Sequence, residues 1–387
     1  MKSVDDPTNP LVEALDLEGI PAGSVVRLRL RMIDDGRGEP ICVPVLIAKG
    51  GQPGLKLGLT AAVHGDELNG MRVIHKVFDE LAPSALRGTI IAVPVVNVPA
   101  FVNESRRFPS GEDLNRIMPG KPDGTTAQIY AHRLTVRILE QLDYLIDLHT
   151  ASFGRVNTLY VRADLRHPET AWMARAQHPQ IILHNPGDDG TLRAAAMARK
   201  IPAIAVEVGD PMRFQGKLIR EGFVGLANVL AHLGMIDLEE AQPSLEPIVC
   251  ARSYWIHSDI GGLLQVFPAL GARVREGERI ARVTDVYGTE RVVYYAPEDG
   301  VVIGKSTNPV NPTGSRILHL GVVDEAQLAA DGSELNGSEP NGSAPNGPAP
   351  LASGARAEEP PVEELSADEA RAPTTRRRAQ RGTISSP

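Results

Sequence analysis

The stretch GLTAAVHGDELNG, residues 58–70, decides how the rest of the chain is read. An apolar run ends there in a turn that carries His64, Gly65, Asp66 and Glu67. A histidine and a glutamate three residues apart can both reach one cation at the end of a strand. Zinc accepts imidazole nitrogen and carboxylate oxygen at about 2.0–2.2 Å, and two histidines plus a glutamate with an open fourth position mark hydrolytic sites. The second histidine is supplied by His149, at the end of the apolar run in LDYLIDLHT (142–150). Taken singly, each of these residues also reads as an ordinary turn or strand-end side chain. Both histidines, however, close strongly apolar segments, and open α/β sheets bind ligands outside the carboxyl ends of their strands. Asp147 lies two residues before His149 and so on the same face of a strand, where a carboxylate can orient a metal-binding imidazole.

Working outward, apolar strand-like runs alternate with amphipathic helical stretches from about residue 20 to 240. The strand candidates are VVRLRLRM (25–32), VPVLIA (43–48), LKLGLTAAV (55–63), GTIIAVPVV (88–96), YLIDLHT (144–150) and AIAVEVG (203–209). Helices are expected over 71–83, 127–142, 171–177 and 223–236. This alternation predicts an α/β domain with a mixed, mostly parallel sheet flanked by helices. Residues 245–323 carry short β-like runs broken by Gly and Pro, which predicts a smaller all-β domain. From 325 to 387 the chain repeats Asn-Gly-Ser/Pro units without periodic apolar residues, and a disordered tail is expected. That tail ends in TTRRRAQR (374–381), which reads as solubilising rather than as a specific binding peptide.

Composition removes several function classes. A 42% hydrophobic content in 387 residues suffices for a packed core, and the formal net charge of -8 argues against a general nucleic-acid binder. Cys42 and Cys250 are the only cysteines, too few for a disulfide framework or a thiolate metal cluster. No apolar run approaches the roughly 18–20 residues needed to span a bilayer. The acidic start shows no apolar signal segment, so a cytoplasmic protein with no membrane partner is expected. Composition leaves homo-oligomerisation open.

Between the metal candidates lies NVPAFVNESRRFPSGEDLNRIMPG (97–120), with Arg106, Arg107, Asp113, Asn115 and Arg116 among turn formers. Guanidinium forks and an amide are what a site uses to hold a carboxylate or polarise a carbonyl, although a solvated loop would carry the same residues. Glu207, in IPAIAVEVGD (201–210), is a carboxylate inside an apolar run. Burying it is costly unless it is partnered, which suits either a proton-handling group or a plain strand-edge glutamate.

In their order along the chain, HGDE (64–67), SRRFPSGEDLNR (105–116), DLHT (147–150) and AVEVG (205–209) resemble the succinylglutamate desuccinylase/aspartoacylase family, which is related to the zinc carboxypeptidases. The resemblance spans roughly residues 20–320. It implies a zinc carboxypeptidase-like fold, one Zn2+ per chain and hydrolysis of a small N-acyl amino acid. His64, Glu67 and His149 match the family's zinc ligands, and Glu207 matches the carboxylate that relays the proton from water to the leaving amine. Arg106 matches the arginine that polarises the scissile carbonyl, with Arg107 one position away, and Asn115 and Arg116 match the pair that contacts the substrate carboxylate. Members of the family also narrow the pocket with groups from the C-terminal domain, for which Tyr287, Tyr294 and Tyr295 are available. Arg193 and Arg213 flank Glu207 and offer further contacts to a carboxylate.

The expected activity is therefore a zinc amidohydrolase that removes an acetyl- or succinyl-type group, an N-acetyl-diaminobutyrate deacetylase being one specific form. The alternative is a zinc carboxypeptidase acting on peptide C-termini. Residues 245–323 also resemble the biotinyl/lipoyl-type hammerhead fold, but no lysine sits in a tight turn between their strands, which argues against a carrier.

Overall fold

The computed structural model describes residues 8–187, 190–238 and 246–323; the tail expected from residue 325 lies outside them. The near-continuous apolar runs become strands covered on both faces, the usual condition of a parallel sheet between helical layers. Four of them lie side by side and run the same way, in the order Arg87–Val93, Gln52–Ala61, Tyr144–His149 and Ala203–Val208. Beyond Arg87–Val93 the sheet continues antiparallel through Pro40–Lys49 and Ser24–Asp34. In Ser24–Asp34, Arg27, Arg29 and Arg31 alternate with Val26, Leu28 and Leu30, so one face is apolar and the other meets water.

Helices Asn69–Glu80, Pro168–Ala176 and Gly216–His232 cover one face of the sheet, burying Ile74, Met173 and Leu226 against Leu148 and Val206. Helices Thr126–Arg137 and Leu192–Met197 cover the other, setting Tyr130, Leu134 and Leu192 against Val43, Ile47 and Ile91. Thr126–Arg137 opens with a reciprocal cap: the Thr125 hydroxyl accepts from Gln128 N while Gln128 Oε1 accepts from Thr125 N. Gly70 lets the first of these helices lie directly on the sheet, because a Cβ there would stand 2.6 Å from Leu148 Cβ.

On the far side of Ala203–Val208 the sheet gains Leu159–Ala163, antiparallel to it, and then Ile181–His184. Neither strand is among those the apolar runs predict, since both are short and carry polar residues such as Arg162 and His184. The same sheet then runs on into the C-terminal part. Ile248–Cys250 pairs in parallel with Ile181–Leu183, and Arg155–Asn157 pairs antiparallel with Gly304–Ser306. A second, four-stranded antiparallel sheet formed by Gly262–Val266, Arg279–Thr284, Glu290–Tyr295 and Val310–Asn311 packs around Leu264, Ile280 and Val283 against Ile317, Leu318 and Leu320. The chain thus adopts the expected α/β class with a smaller C-terminal β part. Among the described residues, no helix is long and apolar enough to cross a membrane.

Candidate active site

The parallel strands Gln52–Ala61, Tyr144–His149 and Ala203–Val208 present their carboxyl ends together, and the site is built on them. His64 follows the first strand through a loop that still pairs with its neighbour: Val96 N donates to Ala61 O and Asn97 N to Ala62 O. The Asn97 amide donates to Val63 O and accepts from Ala100 N, which fixes this loop against the next helix. Gly65 is required by the close approach, since a Cβ on it would lie 2.2 Å from the backbone carbon of Ala100. The turn therefore has little freedom, and it delivers His64 and Glu67 to one point.

His64, Glu67 and His149 are all buried, and one ligand atom from each can be chosen so that all lie within 4.8 Å of one another. Glu67 Oε1 is 2.8 Å from His64 Nδ1, and Glu67 Oε2 is 2.9 Å from His149 Nδ1. The outward nitrogens meet acids: His149 Nε2 is 2.7 Å from Asp147 Oδ2, and His64 Nε2 is 3.1 Å from Asp113 Oδ1. Thr60 donates to the other oxygen of Asp147 at 2.7 Å. A ring whose Nε2–H is held by a carboxylate offers a free Nδ1 lone pair to a cation. Burial opposes the charged form of each histidine, but Glu67 and Asp113 for His64, and Asp147 and Glu67 for His149, outweigh it and raise both pKa values. Burial likewise works against the Glu67 anion, and the two histidines overcome it, holding the carboxyl far below its usual range. This is a pocket that favours positive charge. The donor set of two imidazoles and one carboxylate, each oriented from behind, fits a divalent ion of the zinc type.

One cavity of about 400 Å³ contains all seven expected residues: His64, Glu67, Arg106, Asn115, Arg116, His149 and Glu207. Glu207 is the register partner of His149 on the neighbouring parallel strand, so both side chains leave the same face side by side. Its Oε1 lies 3.4 Å from Arg162 Nε, and Arg162 Nη2 donates to the buried Tyr160 hydroxyl at 2.7 Å. Arg106 Nη1 is 3.2 Å from Glu67 Oε1 and donates to Ser152 Oγ at 2.8 Å, while Asp113 grips the same guanidinium through Nε and Nη2. Arg107 points away: it is exposed and donates to Gly111 O. Asn115 spends its carbonyl oxygen on Leu192 N at 2.8 Å, which orients the amide.

Several contributors are not visible in the sequence reading. Asp113 ties His64, Arg106 and the Asn115 backbone together, although in the sequence it is one loop acid among others. Arg155 and Arg162 belong to short strands that the apolar runs do not predict. The C-terminal part faces the cavity with Tyr254, Trp255, Arg316 and His319. The tyrosines expected there sit elsewhere: Tyr287 is 91% exposed in a hairpin loop, Tyr295 is 57% exposed, and Tyr294 donates to Asp259 at 2.5 Å. Of the two additional arginines, Arg193 is buried in the cavity wall and donates to Asn185 O, whereas Arg213 pairs with Asp210 outside it.

Comparison with known proteins converges on the same segment. The model of the succinylglutamate desuccinylase/aspartoacylase catalytic domain matches residues 53–233. An N-alpha-acetyl-L-2,4-diaminobutyric acid deacetylase from Halomonas elongata is 29% identical over 288 residues, 70% of this chain and 83% of its own length. The product-bound ectoine utilization protein EutE (DoeB) of Ruegeria pomeroyi superposes with a TM-score of 0.72 at 24% identity, covering 79% of this chain and 98% of that one. A succinylglutamate desuccinylase/aspartoacylase structure from Rhodobacter sphaeroides gives a TM-score of 0.71 at 25% identity, over 81% and 99% of the two chains. The catalytic-domain match runs through every one of the seven residues gathered in the cavity, so over the segment that builds the site the chain is similar to the succinylglutamate desuccinylase/aspartoacylase family.

Proposed function

We propose that the protein is a zinc-dependent amidohydrolase that removes an acetyl- or succinyl-type group from a small N-acyl amino acid. The observation that carries this reading is the meeting of the His64–Glu67–His149 cluster, Glu207 and Arg106 in one cavity. His64, Glu67 and His149 would hold a zinc ion, which would supply Lewis acidity and lower the pKa of a water from 15.7 toward about 7. Glu207, beside His149, accepts the proton that the attacking water loses and passes a proton to the nitrogen as the C–N bond breaks. Arg106, fixed from behind by Asp113, donates to the carbonyl oxygen as it gains charge; losing one such donor typically costs about 2.7–4 kcal/mol of transition-state stabilisation. Asn115 and Arg116 hold the substrate carboxylate and set its register.

The name of the Halomonas elongata relative supports the acyl-amino-acid class. The cavity wall favours it over a carboxypeptidase, because Tyr254, Trp255 and Arg316 of the C-terminal part line the cavity, as a cleft walled against long peptides requires. The test is bound metal per chain in the wild type and in His149→Ala, together with hydrolysis of an N-acyl amino acid panel. About one zinc per chain, lost with turnover in the variant, is the expected result. Stoichiometric zinc with no turnover on any acyl amino acid would move the activity to peptides. Carefully prepared protein that takes up no metal would end the catalytic reading.

A further inference from the structure

Six arginines line the cavity, against three carboxylates: Glu67, Asp147 and Glu207. Each carboxylate already has partners: Glu67 the two histidines, Asp147 Thr60 and His149, Glu207 Arg162. Arg106, Arg162 and Arg193 are also engaged by polar groups. Arg155 and Arg316 differ. Neither makes a hydrogen bond or ion pair to a side-chain acceptor among the described residues, and both approach one indole instead. The Arg155 guanidinium carbon lies 5.7 Å, and that of Arg316 5.2 Å, from the centroid of the Trp255 ring. His319 stacks on the same ring at 5.0 Å with an interplanar angle of 10°. The indole thus collects two cations and a buried imidazole with no anion among them.

Resting on the deacylase reading above, we infer that Arg155, Trp255 and Arg316 form an anion subsite on the C-terminal wall, which takes a second carboxylate of the substrate and rejects an amine. Burial and the neighbouring guanidiniums, Arg316 and Arg106 for Arg155 and Arg106, Arg116 and Arg162 for Arg316, work against the charge on each, and Glu67 and Asp66 offset only part of this for Arg155. A ligand carboxylate relieves that repulsion, and guanidinium forks are built to meet one in two hydrogen bonds. An ammonium group entering the same space meets the Arg155 and Arg316 guanidiniums, and each carboxylate that lines the cavity already has a partner. The indole face fixes both forks without using their N–H groups, so these stay available to the ligand.

The second carboxylate can sit on the amino-acid side chain or at the far end of the acyl group, and four substrates separate the cases. These are N-acetylalanine, N-acetylglutamate, N-succinylalanine and Nα-acetyl-2,4-diaminobutyrate, assayed with metal-loaded wild type, Arg155→Gln and Arg316→Gln. One of the two dicarboxylates is expected to exceed N-acetylalanine in kcat/KM, and the glutamine variants to cut that ratio roughly 10-fold or more, mainly through KM. Arg316→Lys should recover part of it. The diaminobutyrate derivative as best substrate, or equal losses on all four compounds, would overturn the subsite. If none of the four is hydrolysed, the deacylase reading fails instead, and the subsite is then read by binding alone. In a Trp172→Phe background Trp255 is the sole tryptophan, so its fluorescence reports glutarate directly. A saturable change weakened about 10-fold by Arg316→Gln upholds the subsite; no response to glutarate removes it.

Discussion

The two walls of the cavity were made by different means. One is the ends of parallel strands: His149 and Glu207 stand as register partners, with His64 and Glu67 brought beside them by a turn locked at Gly65 and Asn97. The other is assembled from strands far apart in sequence, Arg155–Asn157, Ile248–His257 and Arg316–Val323, joined through ladders to Gly300–Ser306 and Ile181–His184. The first wall holds acids that steady histidines; the second holds arginines on an indole. The difference teaches a division of labour. On the proposed function, the reaction chemistry falls to the strand-end wall, and discrimination between substrates falls in part to the arginine wall.

The sharpest way to break that division is to change Glu207. Glu207→Gln keeps the size of the side chain and leaves the three ligands intact, so metal content is expected to stay near the wild-type value. Turnover should fall by about 10²–10⁴-fold, the usual contribution of a positioned acid–base group. Steady-state kinetics beside a metal assay checks it. Retained activity with zinc bound would remove Glu207 from the mechanism.

Next in size is the second rank of acids. Asp147 contacts His149 Nε2 at 2.7 Å and Asp113 contacts His64 Nε2 at 3.1 Å. Asp147→Asn should weaken metal affinity by about 10–100-fold, and Asp113→Asn by a similar factor. Asp113→Asn should in addition lower kcat, because Asp113 also fixes Arg106. Competition with a graded series of chelators measures the first effect, and kinetics at saturating zinc isolates the second. If both variants bind zinc as the wild type does, the acids play no part in orienting the ligands.

The substrate clamp gives a smaller effect with a different signature. Arg116→Ala should raise KM by about 10–100-fold while kcat changes little, since the pair with Asn115 binds the ground state and transition state alike. A fall confined to kcat would transfer Arg116 to the chemistry.

These walls differ as much in how far the sequence shows them. The runs YLIDLHT and AIAVEVG are apolar enough to be buried on both faces, so their strands and the polar residues at their ends stand out from the chain. His149 and Glu207 stand out for that reason, and His64 and Glu67 because they follow the similar run LKLGLTAAV. The Leu159–Ala163 strand is interrupted by Arg162, and Arg155–Asn157 has three residues, too few for any periodicity. In the C-terminal part the strands themselves were legible, but not which face meets the cavity. That depends on Ile248–Cys250 pairing with Ile181–Leu183, a partner outside any local pattern. Tyrosine identity was therefore no guide: Tyr287 falls in a hairpin loop where Asp285 Oδ1 accepts its backbone N–H, while Trp255 faces the cavity.

The smallest predicted effect tests the second wall through His319. It is buried, stacked on Trp255 with the Tyr160 ring edge-on to it, and its Nε2 is 2.8 Å from Ser253 Oγ. Burial, with Arg162 and Arg316 nearby, pushes its pKa well below the ordinary value, so the folded protein keeps it neutral. The unfolded chain takes up a proton on this histidine near pH 6.5, before the folded protein does. Its contribution to stability is thus complete above about pH 6.5 and is lost as the pH falls below that, by at most about 1.4 kcal/mol per pH unit. In metal-free protein His64 and His149, whose pKa values are raised, act in the opposite sense: their contribution is present below about pH 6.5 and fades as the pH climbs through the raised values. Denaturant unfolding of wild type and His319→Asn between pH 5 and 8 separates the two, because the other histidines cancel in the difference. The variant should be less destabilised relative to wild type at pH 5 than at pH 8. A difference that does not change with pH would mean that His319 is not held neutral, and the cluster of cations around Trp255 would then lack the neutral base on which it is stacked.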